Sequence, residues 1–189
     1  MGKKFKIDKL PYHFVSIDTI GDGSCLLHSV LYSFNNKYRK LGFNERIKMS
    51  DNLRRNLADV LEERENEKTY YQNLSRGEIE DLSKILGDMK LSNMKRHLCS
   101  RKWLNIFYLE LISNQFNIDI IIINEKNRKI YKTGDNELLL RDRDTVLINY
   151  IEEAHFESIG METSEGVKTL FSSDSQVIRD LKIYDKKYK

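Results

Sequence analysis

The chain has 189 residues, 40% of them hydrophobic and 32% charged, a balance that excludes a disordered or fibrous chain and suits one globular domain. Folding at this length buries roughly 70% of the unfolded surface, so a core can form without metals or disulfides. The 32 basic and 29 acidic residues leave a net charge of +3, without the concentrated basic footprint of a nucleic-acid binder.

The basic residues crowd the two ends, with Lys3, Lys4, Lys6 and Lys9 at one and Lys182, Lys186, Lys187 and Lys189 at the other. Solvated tails are the preferred reading over a nucleic-acid arm. No positive start leads into a long apolar run, so no signal peptide is expected. No apolar run approaches the roughly 20 residues of a membrane span. Cys25 and Cys99 lack metal-like spacing with histidine, which points to a reducing, cytoplasmic setting rather than a disulfide scaffold.

In chain order, residues 14–20 mix β-branched and apolar side chains and read as extended. They run into the turn-rich loop Gly21-Asp22-Gly23-Ser24. Beyond Cys25, the spacing of Leu27, Val30, Leu31 and Phe34 predicts a helix closed by Asn35 and Asn36. A second helix is predicted over 47–63, with Met49, Leu53, Leu57, Val60 and Leu61 on one face. Residues 64–102 are polar and read as helical pieces broken at Gly77 and Gly87.

A third helix is predicted from Lys102, through Leu104, Phe107, Tyr108, Leu111 and Ile112. Residues 118–123 read as a buried strand, since four β-branched residues in a row are too short a run for a helix. Short strands are expected at 129–132 and 137–141, joined by a turn at 133–136, and further strands at 146–151 and 155–159. Helices ahead of strands make the class α+β, a small and mostly antiparallel sheet flanked by helices. After Gly160 the pattern weakens, and the capping-box spacing of Ser173 and Gln176 predicts a last helix through Leu181. The expected organisation is a basic segment over 1–13, one domain over 14–160, and an extension over 161–189 packed on that domain.

The chemistry centres on Gly21-Asp22-Gly23-Ser24-Cys25-Leu26-Leu27-His28. A cysteine at a helix start meets the positive end of the helix dipole, which favours thiolate. Free N–H groups of the loop and first turn can receive an oxyanion, and glycine lets the backbone approach a substrate carbonyl. On this pattern alone a nucleophile and a buried structural cysteine are equally supported. A nucleophilic cysteine needs a base. His155 begins a strand after a turn-like segment, a rigid place for an imidazole. His28 lies one turn beyond Cys25 and can lean back towards it, yet its neighbours Leu27, Val30 and Leu31 favour a structural or rim role. His13 and His97 sit without a supporting pattern.

The stretch Gly21-Asp22-Gly23-Ser24-Cys25-Leu26-Leu27-His28-Ser29 resembles the catalytic loop and helix of the ovarian-tumour (OTU) deubiquitinases. His155-Phe156-Glu157-Ser158-Ile159 resembles that family's closing histidine motif. Trp103 and the helix and strand that follow it are similar to a third family motif, and all three stand in the family's order over about residues 14–160. The resemblance implies a papain-like thiol protease with Cys25 as nucleophile and His155 as base.

There are two departures from the family pattern. Ser24 stands where the family often has Asn, a small polar residue kept in place. Glu157 stands two residues after His155, where the family usually has Asp or Asn. On a strand, residue i+2 shares the face of residue i, so Glu157 can reach the imidazole. Asp22 matches the family's loop Asp, so either Glu157 or Asp22 orients His155, fixing its tautomer and stabilising its cation.

The resemblance further implies isopeptide hydrolysis at the C-terminus of ubiquitin or a ubiquitin-like modifier, with loop amides around Gly23 and Ser24 holding the oxyanion. It implies no metal or organic cofactor, no nucleic acid or membrane partner, and a monomer that grips ubiquitin through 45–102 and the strands after 118. The compact form is similar to enzymes with which viruses or intracellular bacteria strip ubiquitin from host proteins. Trp103 reads as a packing residue, Phe156 as an aromatic beside the cleft, Cys99 as a spectator, and Asp142 with Asp144 as part of a solvated loop. A catalytically weak ubiquitin-binding module is the alternative.

Overall fold

The computed structural model describes residues 3–7, 10–65, 68–69, 90–104, 106–124, 130–133, 143–152 and 154–188. Strands β1 (Lys3–Phe5) and β2 (Phe14–Ile17) precede helices α1 (Cys25–Phe34), α2 (Asn36–Lys40) and α3 (Phe43–Val60). The small ribbon β3 (Arg64–Glu65) and β4 (Lys68–Thr69) leads to α4 (Leu91–Leu98), a 3-10 turn (Ile106–Tyr108) and α5 (Leu109–Phe116). Strands β5 (Asp119–Asn124), β6 (Ile130–Lys132), β7 (Thr145–Ile151), β8 (His155–Thr163), β9 (Gly166–Lys168) and β10 (Leu170–Phe171) then precede α6 (Gln176–Tyr188).

The main sheet runs β1-β2-β8-β7-β5-β6, with β9 on β8 and β10 on β7. Only β5 and β7 pair in parallel among the described strands. Helices on an open, mostly antiparallel sheet are what the α+β expectation called for. Both faces of the sheet are covered, which explains why β5 is a continuous apolar run rather than an alternating one. On one face Ile120, Ile122, Val146, Ile148 and Phe156 pack with Leu26, Leu27 and Val30 of α1 and with Leu57 and Leu61 from α3 and its end. On the other, Phe14, Ile121, Ile123, Leu147 and Ile159 pack with Val177, Ile178 and Leu181 of α6.

Helix α1 is the central piece. Almost all of it is buried, so its polar residues must be bonded. Ser29 Oγ donates to the carbonyls of Cys25 and Phe156 at 2.7 and 2.8 Å. Ser33 Oγ lies 2.7 Å from Ser158 Oγ. These bonds clamp α1 onto β8, the strand that carries His155.

Several boundaries differ from the sequence reading. The buried face of α3 is Ser50, Arg54, Leu57 and Ala58 rather than the stripe through Met49, Leu53 and Val60, which are half-buried. The predicted helix from Lys102 does not form there. Leu104 N–H donates to Gly23 O at 2.9 Å and Trp103 stacks on Phe156, so tertiary contacts hold this segment off the helix until the 3-10 turn. The last helix runs past Leu181 to Tyr188, and its first turn closes on the Ser175 carbonyl, which accepts from Ile178 and Arg179. The expected strand at 137–141, its turn from Gly134 onward, and the breaks at Gly77 and Gly87 lie outside the described residues.

Candidate active site

Cys25 is the first residue of α1 and is 2% exposed. Burial pushes its thiol above the ordinary value, opposed by N–H groups of Phe156 and Leu26 and by the Trp103 indole, while Asp22 adds to the rise. The helix start, expected to favour thiolate, is therefore outweighed by loss of water around the sulfur. In the free protein the group rests as a thiol at neutral pH.

His155, the first residue of β8 and the one just before Phe156, is about a quarter exposed. Its ring rests on the loop before α1: a Cβ on Gly21 would lie 3.7 Å from Cε1 and 3.9 Å from Nδ1. The Nδ1 edge thus faces the cysteine loop, and Nε2 faces the other way, 3.7 Å from Asp18 Oδ1. Asp18 lies just beyond β2 and its side chain is 89% exposed. Sequence reading did not single it out.

Glu157 shares the His155 face of β8, as the i+2 rule requires, and accepts from Ser16 Oγ at 2.5 Å. Ser16 in turn accepts from Asn149 Nδ2 at 3.1 Å. One side-chain atom each of Asp18, His155 and Glu157 falls within 4.8 Å of the others, so these three offer a histidine and two carboxylates at one point.

Asp22 turns away from that cluster. Its Oδ1 accepts from Ser24 N–H at 2.9 Å and lies 3.1 Å from His28 Nε2. The opposite ring nitrogen of His28 sits 2.5 Å from Tyr38 Oη. Burial pushes His28 below its ordinary 6.5, opposed by Asp22, so the ring is neutral at pH 7. A neutral ring with a proton on Nε2 donates to Asp22 and accepts from Tyr38. Asp22 and His28 together brace the loop, and the Ser24 amide is committed to that brace rather than open to an oxyanion.

Gly23 adopts φ +86°, and a Cβ there would sit 2.2 Å from the Arg101 carbonyl oxygen, so only glycine fits. Behind the loop lies Arg54, 1% exposed and absent from the sequence-derived candidates. Its guanidinium donates to the carbonyls of Gly23, His97, Leu98 and Lys102 and to Ser24 Oγ, at 2.8–3.2 Å. One buried fork thereby ties the cysteine loop to the segment carrying Trp103.

Trp103, Phe156 and Tyr150 form an aromatic stack beside Cys25, with Trp103 and Phe156 centroids 5.7 Å apart and rings 10° from parallel. His97 is a packing residue, with Nδ1 2.8 Å from Tyr108 Oη and Nε2 3.0 Å from Trp103 O. Cys99 is a free, exposed thiol.

No protein-family model and no curated protein matches the sequence. Solved structures do match. An OTU domain in complex with ubiquitin covers 94% of this chain and 86% of its own, at 16% identity and a TM-score of 0.57. The viral OTU domain protease from Dera Ghazi Khan virus covers 85% and 87%, at 16% identity and 0.55. The Hazara virus OTU bound to ubiquitin covers 86% and 89%, at 15% identity and 0.51. The fold of this chain is that of the OTU domains.

Proposed function

We propose that the chain is a thiol-dependent deubiquitinase that hydrolyses isopeptide bonds at the C-terminus of ubiquitin or a ubiquitin-like modifier. The observation that carries this reading is the seating of Cys25, at a helix start, against the strand that opens with His155, the ring of which faces the cysteine loop with Nδ1 and a carboxylate with Nε2. The OTU fold, and the ubiquitin held by two of the similar structures, support the same substrate.

In this mechanism His155 Nδ1 takes the thiol proton, and the sulfur attacks the carbonyl carbon of the modifier's last residue. Asp18 stabilises the imidazolium from the Nε2 side, and Glu157, pinned by Ser16, adds negative charge on the same face. Collapse of the tetrahedral intermediate expels the lysine amine, which receives the proton from His155. Water, deprotonated by His155, then releases the thioester and restores the thiol. Binding remote parts of ubiquitin supplies the orientation that chemistry at a single bond cannot. A monomer acting in a cytoplasmic, reducing setting completes the reading.

Incubation with a panel of linkage-defined diubiquitins tests it. Wild type is expected to release monoubiquitin from at least one linkage, and Cys25→Ala and His155→Ala from none. Intact chains throughout with folded wild type would overturn it. The 2% exposure of Cys25 favours a second reading, an OTU-like module that binds ubiquitin without cutting it. That reading predicts ubiquitin binding unchanged by Cys25→Ala and no cleavage by either form.

A further inference from the structure

Around His155 the fold gathers more ligating atoms than are needed to orient a base. Asp18, His155 and Glu157 each bring one such atom within 4.8 Å of the other two. The backbone sets them there. His155 and Glu157 share one face of β8. Strand β2 pairs with β8 so that Ile17 stands opposite Ser158, and the next residue, Asp18, falls level with Glu157. The imidazole presents one nitrogen to each side, its Nδ1 edge over Gly21 of the cysteine loop and its Nε2 3.7 Å from Asp18 Oδ1. Glu157 is held from behind by Ser16 Oγ, which is itself bonded by Asn149. That bond uses one of the roughly four acceptor positions of a carboxylate.

These donors define a chemical class. One imidazole nitrogen with two carboxylate oxygens suits zinc and neighbouring divalent transition-metal ions. Tetrahedral zinc bonds place ligand atoms about 3.4 Å apart, and His155 Nε2 and Asp18 Oδ1 already lie close to that separation. Asp18, with its solvent-exposed side chain, can swing to close the remainder. Three protein ligands on the solvent side of the sheet edge leave a fourth position for water, the pattern of an open site rather than a closed structural one. Two carboxylates also balance the charge of a divalent ion.

We propose that His155 Nε2 and the carboxylates of Asp18 and Glu157 form a site for a divalent transition-metal ion of the zinc type, and that filling it switches off the base. The second half rests on the role of His155 proposed above. A neutral imidazole has one N–H and one lone pair. The base needs its lone pair on Nδ1, towards the cysteine loop, and its proton on Nε2. A metal ion takes the Nε2 lone pair, so the single proton moves to Nδ1 and no acceptor is left for a thiol proton. Only a coordinate bond forms, the neutral ring releases no proton, and removing the ion restores the base. The carboxylates that steady the imidazolium thereby make the same histidine sensitive to metal.

The experiment is calorimetric titration of zinc chloride into the untagged full chain carrying Cys25→Ser and Cys99→Ser, so that no thiol competes. One ion per chain is expected. Its affinity is expected to fall about tenfold or more in Asp18→Asn and in Glu157→Gln, since even the partners behind metal ligands are worth that much. Should Glu157→Gln fail to fold, Asp18→Asn carries the test, because its side chain is exposed. No saturable binding at millimolar zinc, or an affinity unchanged by these substitutions, would overturn the site. Nitrogen-15 spectra of the zinc-bound protein are expected to show His155 with its proton on Nδ1, and a proton persisting on Nε2 would refute the switch. In the wild-type protein zinc is expected to stop diubiquitin cleavage, a chelator to restore it, and Asp18→Asn to require more zinc for the same loss. Wild type that cleaves no diubiquitin, while the thiol-free protein still binds one ion through these residues, would remove the deubiquitinase reading and leave the metal site standing.

Discussion

At Arg54 a charged fork sits where a helix would ordinarily bury leucine, and every donor atom of it meets an oxygen of the loop or of the 97–102 segment. Arg54→Ala leaves those carbonyls buried without partners, and is expected to lose about 3 kcal/mol or more in urea unfolding. Nothing local marks this residue in the sequence, where Arg54 and Arg55 look alike and the partners of Arg54 are Gly23 and Ser24, well before it, and His97, Leu98 and Lys102, well after it. Asp18 was hidden for the same reason. Its partner His155 is brought to it only by β2 pairing with β8, whereas Cys25 was visible because its loop and helix are contiguous. The two carboxylates near His155 can be separated by kinetics. Asp18→Asn is expected to lower kcat on a ubiquitin C-terminal fluorogenic substrate about tenfold, ~1.4 kcal/mol of transition-state stabilisation, with Tm unchanged because the side chain is exposed. Glu157→Gln is expected to lower kcat and also Tm, since Ser16 loses its carboxylate acceptor. Asp22→Asn is expected to act mainly on Tm, through Ser24 and His28.

Helix α1 carries both Cys25, the proposed nucleophile, and a buried pH-sensitive brace. His28 is neutral in the fold because burial lowers it, and His97 is lowered by burial too. Unfolding returns both rings to water, where they take up a proton below about 6.5. The unfolded state therefore binds more protons in that range, and stability contributed by these neutral rings is present above 6.5 and lost as pH falls below it. Thermal melts are expected to show a lower Tm at pH 5 than at pH 7, with a smaller loss in His28→Gln, whose amide cannot charge. The elements themselves were legible in unequal measure. Strands β5 and β7 read directly, since a doubly covered sheet needs unbroken β-branched runs. The segment ahead of α5 misled because its apolar spacing is helical while its backbone is held by Gly23 and its tryptophan by Phe156. Local pattern cannot register a bond made to a loop eighty residues earlier.

The whole molecule closes on its second core, where the C-terminal helix covers the face of the sheet opposite the cysteine. Ile178, fully buried against β2, β5 and β7 side chains, belongs to that core. Ile178→Ala is expected to lose about 3 kcal/mol in denaturant unfolding, as a core residue does and a loosely attached tail does not. The sequence pattern weakened after Gly160 because β8 there turns to short exposed strands, with Val167 open to solvent, before the buried stripe of α6 resumes. Two cores on one sheet place α1 and β8 side by side, and that placement is what brings the elements carrying Cys25 and His155 together from distant parts of the chain. The most direct measurement is reaction with ubiquitin bearing a thiol-reactive group at its C-terminus, followed by intact mass and by mapping of the modified residue. The account predicts one ubiquitin-sized gain on wild type, located at Cys25, and none on Cys25→Ala. Folded wild type that gains no mass, or that gains it at Cys99, would contradict the assignment of Cys25 as nucleophile.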